Sequence, residues 1–293
     1  MKLIKVLILG GTKFLGLDYF KLLKNDPGIE VHIASRSFID TNNFYRIDRK
    51  NQLDLVGILS ANNFDIIVDF ICYSMPDSKK LLNAILATNS APYLITISST
   101  YVYGNPLKLT DDKKYKEIDF DPAAYSYSQD DRPIIDYYEG KKSMESFLYK
   151  NYSNFVSVRF PIILGSNDYT GRTSYFSEII KTGKSIHFEN PYGRSNFIFS
   201  MEAAKILYFL TREKILGAIN GCLNDNLNQL EILDLFCKYY NVPLSNILDG
   251  DGDEIRSPFY YSRDFLIDNS LQNSLISLNI NFESALRREL EKI

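Results

Sequence analysis

The stretch "LIKVLILGGTKFLG", residues 3–16, constrains the fold more than any other part of this chain. An apolar strand over 3–9 runs straight into Gly10-Gly11, and apolar residues recur at helical spacing over 14–24. A strand that enters a glycine turn and leaves as a helix is the context that a dinucleotide-binding fingerprint requires. Gly10 permits the tight turn, and Gly16 lets the helix pack closely on the sheet. The helix N-terminus then offers backbone N–H groups and a partial positive charge to a pyrophosphate. Gly10, Thr12, Lys13, Phe14, Leu15 and Gly16 are therefore candidate cofactor contacts. The bland alternative is an ordinary strand-to-helix turn. Lys13 stands where the pattern expects its middle glycine, which puts a side chain where the backbone should approach the pyrophosphate.

The same alternation continues. Strands are expected at 29–34, 65–71, 93–98 and 155–160, and helices at 52–60, 77–89 and 136–150. Nearly all-apolar strands separated by helices imply a parallel sheet covered on both faces. The fold class expected is α/β, a Rossmann-type doubly wound parallel sheet with a smaller C-terminal part. Such sheets bind ligands at the carboxyl ends of their strands. Residues 104–135 break the rhythm with prolines, an acidic and tyrosine-rich stretch and "QDDRP". A loop of that length in a compact domain is usually functional, and a lid is one role it could take. After Pro161 the segments shorten, with helices expected at 173–182, 200–211, 228–239 and 282–292. The division expected is a nucleotide-binding domain over 1–164 and a substrate-binding or capping part over 165–293, some segments of which could return to the first domain.

Composition narrows the function classes. At 293 residues and 45% hydrophobic, the chain can bury one large core or two small ones. A net charge of −3 gives no general polyanion-binding surface, which argues against nucleic acid as partner. No apolar run approaches the length of a bilayer span, and the N-terminal apolar run leads into a helix rather than a cleavage site. Cys72, Cys222 and Cys237 lack metal-ligand spacing, and only His32 and His187 are available, so no metal site is expected. Three scattered cysteines without a secretion signal suggest reduced thiols in a cytoplasm.

The end of the second strand bears on cofactor choice. A site for NAD usually places an acidic residue there for the ribose 2'-hydroxyl. Glu30 lies at the start of that strand, and the end reads "ASRS" with Arg36. Arg36 can receive a 2'-phosphate through charge-assisted hydrogen bonds, and Lys13 could add a second charge near the same group. Together they favour NADP over NAD. The alternative is that both are solvated surface cations.

Tyr137 and Lys141 lie four apart in "DYYEGKK", on one helical face. A free tyrosine has a pKa of about 10, so acting as a base near pH 7 demands about 4 kcal/mol of help. An ammonium about 4 Å away supplies roughly that at an effective dielectric of about 20. In a chain with 21 tyrosines the pair alone is weak, and Tyr138 and Lys142 form a second pair one residue along.

The motifs "ILGGTKFLG", "ISSTYVYG", "YYEGK" and "VRFPIILG" occur together in the order and approximate spacing of the extended short-chain dehydrogenase/reductases. The chain resembles the NAD-dependent epimerase/dehydratase family from end to end. "GGTKFLG" looks most like an atypical branch with Lys or Arg at the middle glycine, which includes the chloroplast stem-loop RNA-binding proteins. "NFIFSMEAAKILYFL" and "FLIDNSLQNSL" also resemble the family's later segments.

The resemblance implies Ser99 as the hydroxyl that orients the substrate, with Thr100 as its neighbour in the substrate site. It implies Tyr137 as base and Lys141 as its partner; Gly140 and Glu145 match the branch and favour Tyr137 over Tyr138. Asp48 in "RIDRKNQ" would meet the adenine, Phe70, Ile71 and Cys72 would flank the adenosine ribose, and Phe160, Pro161 and Ile162 the nicotinamide. The implied substrate is a small molecule, commonly a nucleotide-linked sugar. Arg172 and Arg194 are the cations we place near its anionic part, and exposed loop arginines are the equal alternative for each. Thr100 and Tyr101 stand where a dehydratase carries an acidic pair, so epimerase or reductase is favoured over dehydratase. A homodimer through helices 77–89 and 136–150 is common in such proteins, though packing on the chain's own sheet explains their apolar residues equally well. The rival class is a non-catalytic NADP- or RNA-binding regulatory protein on the same fold.

Overall fold

The structure is a computed structural model that describes residues 2–130, 136–249 and 252–293. The first half contains β1 (Ile4–Leu9), α1 (Phe14–Lys24), β2 (Ile29–Ser35), β3 (Phe44–Arg46), α2 (Gln52–Ala61), β4 (Ile66–Asp69), α3 (Met75–Ala87) and β5 (Tyr93–Ser99). A short 3-10 turn over Thr100–Tyr103, β6 (Lys113–Tyr115), α4 (Tyr137–Asn151), β7 (Phe155–Phe160) and β8 (Ile162–Leu164) follow. The rest comprises α5 (Tyr175–Thr182), β9 (Ile186–Phe188), β10 (Ser195–Phe199), α6 (Ser200–Glu213), β11 (Gly217–Asn220), β12 (Asn226–Leu227) and α7 (Gln229–Tyr240). It ends with α8 (Ser245–Leu248), β13 (Asp253–Ile255), β14 (Phe265–Ile267), α9 (Ser270–Leu275) and α10 (Phe282–Leu290).

The main sheet has seven strands in the order β11-β7-β5-β4-β1-β2-β3, and each neighbouring pair is parallel. Both faces are covered, as the continuous apolar strands require. On one face Val6 and Ile8 pack with Tyr19 and Phe20 of α1 and Ala203 and Leu207 of α6. On the other, Leu7 and Leu9 pack with Leu55 of α2, Leu81 of α3 and Met144 of α4. The chain reverses its strand order at β1, so β1 and β4 open a crevice at their carboxyl ends, the usual ligand position in such sheets.

A second sheet, β12-β10-β14-β6 with β8 against β10, stands beside the first. Its core is an aromatic cluster of Phe176, Phe197, Phe236, Phe259 and Phe282. The two halves exchange segments. β11 and α6 come from the later half and complete the first sheet and its cover, while β6 comes from the earlier half and pairs with β14.

Three details differ from the sequence expectation. β4 stops at Asp69 rather than at residue 71, because the Asp69 carboxylate turns the chain by accepting Ile71 N at 3.0 Å. α3 starts at Met75, two residues early, since Ser74 and Asp77 form a capping box and Pro76 suits a first turn. The stretch 104–135 is structured where described: Lys113–Tyr115 pairs in parallel with Phe265–Ile267, and a 3-10 turn follows at Glu117–Asp119. Its residues 131–135, most of "QDDRP", lie outside the described residues.

Candidate active site

The glycine turn is built as its residue types demand. Gly10 and Gly11 both take left-handed backbone, φ 78° and 68°. A Cβ on Gly16 would lie 2.1 Å from Gly11 Cα, so only glycine lets α1 sit this close to the turn. Lys13 caps the helix with φ −142° and ψ 158°, extended backbone that any residue adopts. The missing middle glycine therefore costs the turn's backbone nothing. The unusual residue is Phe14, which holds φ 49° at the first helical position. Such strain in a non-glycine residue tends to mark functional sites. α1 has no acidic residue in its first turn, which keeps the positive end of the helix uncompensated.

The Lys13 ammonium lies 6.0 Å from the ring of Tyr169, and Phe14 meets the same ring edge-on. Tyr169 belongs to the loop between β8 and α5, so Lys13 lies against that loop. Arg36 is exposed, one residue past the end of β2, and forms no ion pair with a described residue. Glu30, at the far end of β2, is held by His32 Nε2 at 2.7 Å and Lys5 Nζ at 3.5 Å.

On the expected adenosine side, Asp48 is exposed and accepts Lys50 N. Its neighbour Arg49, which the sequence reading passed over, is buried. It pairs with the fully buried Asp69, reaches the Asp77 carboxylate at 3.4 Å and donates to Asp77 O at 3.0 Å. This charge cluster ties the loop before α2 to the end of β4 and the start of α3. Phe70 packs on Tyr19, and Ile71 fills the space above Gly10. Burial pushes the Cys72 thiol up to about 12, against the pull of Arg49.

Ser99 ends β5, and its Oγ caps the following 3-10 turn by accepting Tyr101 N at 3.2 Å. Thr100 is fully buried, and its Oγ1 has no hydrogen-bond partner among the described residues. Tyr137 opens α4, whose N-cap Asp136 accepts Tyr138 N and Glu139 N. Its ring is 44% exposed, and it meets Tyr101 edge-on.

Lys141 is a buried cation held by backbone carbonyls. It is 2% exposed, and its Nζ donates to Cys72 O and Ile97 O, both at 2.7 Å. It has no carboxylate partner among the described residues. Two of its three donors are used, so one is left for the cleft, where the ammonium lies 5.7 Å from the Tyr137 ring and 5.0 Å from that of Tyr73. Tyr137 and Lys141 thus lie together at the start of α4, and Lys141 reaches Ile97 O on the strand that ends at Ser99. In the second pair Lys142 is taken by Glu139 at 3.0 Å, while the Tyr138 ring, like that of Tyr137, packs on Tyr101.

Beneath these residues lies a second buried network. Arg159 of β7 donates to both oxygens of Glu145 on α4, which also accepts Ser98 Oγ. Phe160 turns into the core against Gly221 and Ile206, while Pro161 and Ile162 are buried where β8 begins. Arg194 is occupied, paired with Glu231 at 2.9 Å and bonded to Asn226. The Arg172 side chain has no hydrogen bond or ion pair with a described residue, and it is half-buried. A charged residue inside an apolar run, as in "IIVDF" or "FVSVRF", was the available sign of both buried networks.

No protein-family model and no curated protein sequence matches the chain. Solved structures do. The dTDP-glucose 4,6-dehydratase of Bacillus anthracis, in complex with NAD, superposes with a TM-score of 0.75 at 14% identity, covering 98% of this chain and 96% of its own. The chain shares the fold of the nucleotide-sugar epimerases and dehydratases. The UDP-glucose 4-epimerase of Thermotoga maritima, with UDP-glucose, gives 0.75 at 16% identity over 98% and 97% of the two chains. The UDP-N-acetylglucosamine 4-epimerase of Methanobrevibacter ruminantium, in complex with UDP-N-acetylmuramic acid, gives 0.69 at 20% identity over 99% and 98%. This likeness spans both sheets, so it covers the turn, the Tyr137 helix and the C-terminal part alike.

Proposed function

We propose that the protein is an NAD(P)-dependent epimerase or oxidoreductase acting on a nucleotide-linked sugar or a related hydroxy or keto compound, with NADP preferred. The observation that carries this reading is Lys141: a buried ammonium, uncompensated by any described carboxylate, held by two carbonyls with one donor left beside Tyr137. A buried charge of that kind is costly unless something uses it. The glycine turn, with left-handed Gly10 and Gly11 and an acid-free helix start, fits a pyrophosphate.

When bound, the nicotinamide ring would supply hydride exchange with a carbon of the substrate. Tyr137 Oη would take and return the proton of the substrate hydroxyl. The Lys141 ammonium would stabilise the tyrosinate and donate its free N–H to the cofactor ribose. Ser99 Oγ would hold the substrate oxygen in line with Tyr137. Arg36 would receive the 2'-phosphate at the end of β2, and Asp48 the adenine.

The test pairs binding with turnover. Tyr137→Phe is expected to abolish turnover of nucleotide sugars while NADP binding by calorimetry stays within about twofold of wild type. Arg36→Ala is expected to weaken NADP by about tenfold or more and leave NAD unchanged, the loss of a charge-assisted hydrogen bond. Full activity in Tyr137→Phe sinks the mechanism. No binding of either cofactor by the wild type gives the lead to a non-catalytic role on this fold.

A further inference from the structure

The loop between β4 and α3, residues 70–74, stands between the two parts of the candidate site. On one side it seats on the glycine turn. Ile71 Cγ2 lies 2.8 Å from where a Cβ on Gly10 would stand, Phe70 Cδ2 lies 3.3 Å from that position on Gly11, and Phe70 N donates to Leu9 O at 3.0 Å. On the other side the loop meets the start of α4. The Tyr73 carbonyl oxygen lies 2.7 Å from the Cβ position of Gly140, Met75 N donates to Ser143 Oγ at 3.1 Å, and Cys72 O accepts the Lys141 ammonium at 2.7 Å. One short segment therefore touches the turn and Lys141 at once, and a shift in it moves an acceptor of Lys141.

Two carboxylates shape that loop, and one guanidinium serves both. Asp69 accepts Ile71 N at 3.0 Å, and Asp77 accepts Tyr73 N at 2.9 Å and Ser74 N at 3.2 Å. Arg49 pairs with Asp69 through Nη2 and Nε. Its Nη1 lies 3.4 Å from an Asp77 carboxylate oxygen and donates to Asp77 O at 3.0 Å. Both Arg49 and Asp69 are buried. Removing the cation would leave the Asp69 charge buried and unpaired, which drives the loop to open. A lysine can neutralise one carboxylate, but its single ammonium does not reproduce the planar fork that meets two partners. Among the described residues Arg49 has no hydrogen bond to Lys141 or to the glycine turn, so any effect there runs through the loop.

We infer that Arg49 is a positioning residue of the cleft: by holding Asp69 and Asp77 it fixes the 70–74 loop, and through Cys72 O it fixes the Lys141 ammonium beside the glycine turn. This rests on the reading of Lys141 as a cofactor contact. Without Arg49 the loop relaxes, Lys141 keeps the Ile97 carbonyl alone, and its free donor loses a set direction. The turn remains, since Gly10, Gly11 and Gly16 build its backbone. A change at Arg49 should therefore weaken cofactor binding by way of Lys141, and not by way of folding in general.

Two measurements on the full chain test this. In the first, Cys72 reports on the loop: it is buried there with its Sγ 3.2 Å from Ser78 Oγ, while Cys222 and Cys237 lie in the aromatic core of the second sheet and serve as controls. Labelling with a disulfide reagent at pH 8, read cysteine by cysteine by mass spectrometry, is expected to be about tenfold faster or more at Cys72 in Arg49→Met, with Arg49→Lys in between and the two controls within about twofold of wild type. The second is NADP calorimetry on wild type, Arg49→Met, Lys141→Met and the double variant. Arg49→Met is expected to bind NADP about tenfold or more weakly. The double variant is expected to lose less than the product of the two single losses, since Arg49 then has no ammonium left to position. Should Arg49→Met not fold, Arg49→Lys takes its place in both measurements with the same signs. Losses that multiply, wild-type protection of Cys72, or equal acceleration at all three cysteines each overturn the positioning role. Failure of the wild type to bind NADP overturns the cofactor reading instead, and the Cys72 labelling then decides the role of Arg49 by itself.

Discussion

Replacing Glu145 by Gln isolates the charge that holds the site together. Arg159 Nε is 3.1 Å from each Glu145 oxygen and Nη2 is 2.6 Å from one of them, and both side chains are excluded from solvent. The guanidinium also reaches the Tyr103 hydroxyl at 3.0 Å and Glu117 O at 2.7 Å. Glutamine keeps the shape and removes the charge, leaving a buried cation with neutral acceptors only. Coulomb attraction of two charges about 4 Å apart is worth about 4 kcal/mol at an effective dielectric of about 20. Breaking a buried pair from one side typically costs about 3–5 kcal/mol. With a urea slope of about 3 kcal/mol per molar, the unfolding midpoint should fall by about 1–1.7 M at unchanged slope. The double variant Glu145→Met/Arg159→Met should lose less than the two single losses added together, because it strands no charge. A midpoint shift in Glu145→Gln worth under about 1 kcal/mol, or strict additivity in the double variant, refutes the reasoning.

Gly140→Ala should lower stability by about 1–3 kcal/mol and weaken NADP binding, since its Cβ would lie 2.7 Å from Tyr73 O and force α4, with Lys141, away from the cleft; an unchanged melting temperature contradicts this. The three cysteines are buried and reduced, with Cys72 pushed to about 12 and Cys237 to about 11 by burial. They should react with a disulfide reagent at pH 8 only after denaturation, and fast native labelling of Cys72 would show an open site. Burial alone would raise the Glu202 carboxyl, but Arg288 outweighs it and holds it below its ordinary 4.5. That stabilisation is complete above pH 4.5 and is lost as pH falls through the lower folded value. Arg288→Leu should therefore be less stable at pH 7 by about 1–3 kcal/mol, with the deficit shrinking below pH 4.5, and a constant deficit down to pH 3 counts against the pairing.

The parallel sheet was legible because β1, β2, β4, β5 and β7 are nearly continuous apolar runs with helical spacing between them. β3, β6 and β11 were not. Each is only three or four residues long, and β6 begins with two lysines, so no periodicity marks them. They are strands because a neighbour offers an edge, a fact of tertiary structure. The candidate site divides in the same way. Local pattern indicated the turn and the Tyr137–Lys141 spacing. The buried pairs Arg49–Asp69 and Glu145–Arg159 join residues 20 and 14 positions apart, and no local rule matches partners at that range. What separates the two pairs is the lysine: the Lys141 ammonium lies 5.7 Å from the Tyr137 ring, while Lys142 bonds to Glu139. At Lys13 the residue type said nothing of the backbone, which is extended and open to any residue.

That freedom at position 13 separates two properties that glycine turns usually bind together. Where the turn's middle residue needs a left-handed backbone, changing it alters folding and ligand affinity at once. Here the left-handed conformations fall on Gly10, Gly11 and Phe14, while Lys13 stays extended with its side chain at the rim. Position 13 is accordingly interchangeable as far as folding is concerned. Its charge can be removed, reversed or lengthened, and the outcome will register in what the cleft prefers to hold rather than in whether the chain folds.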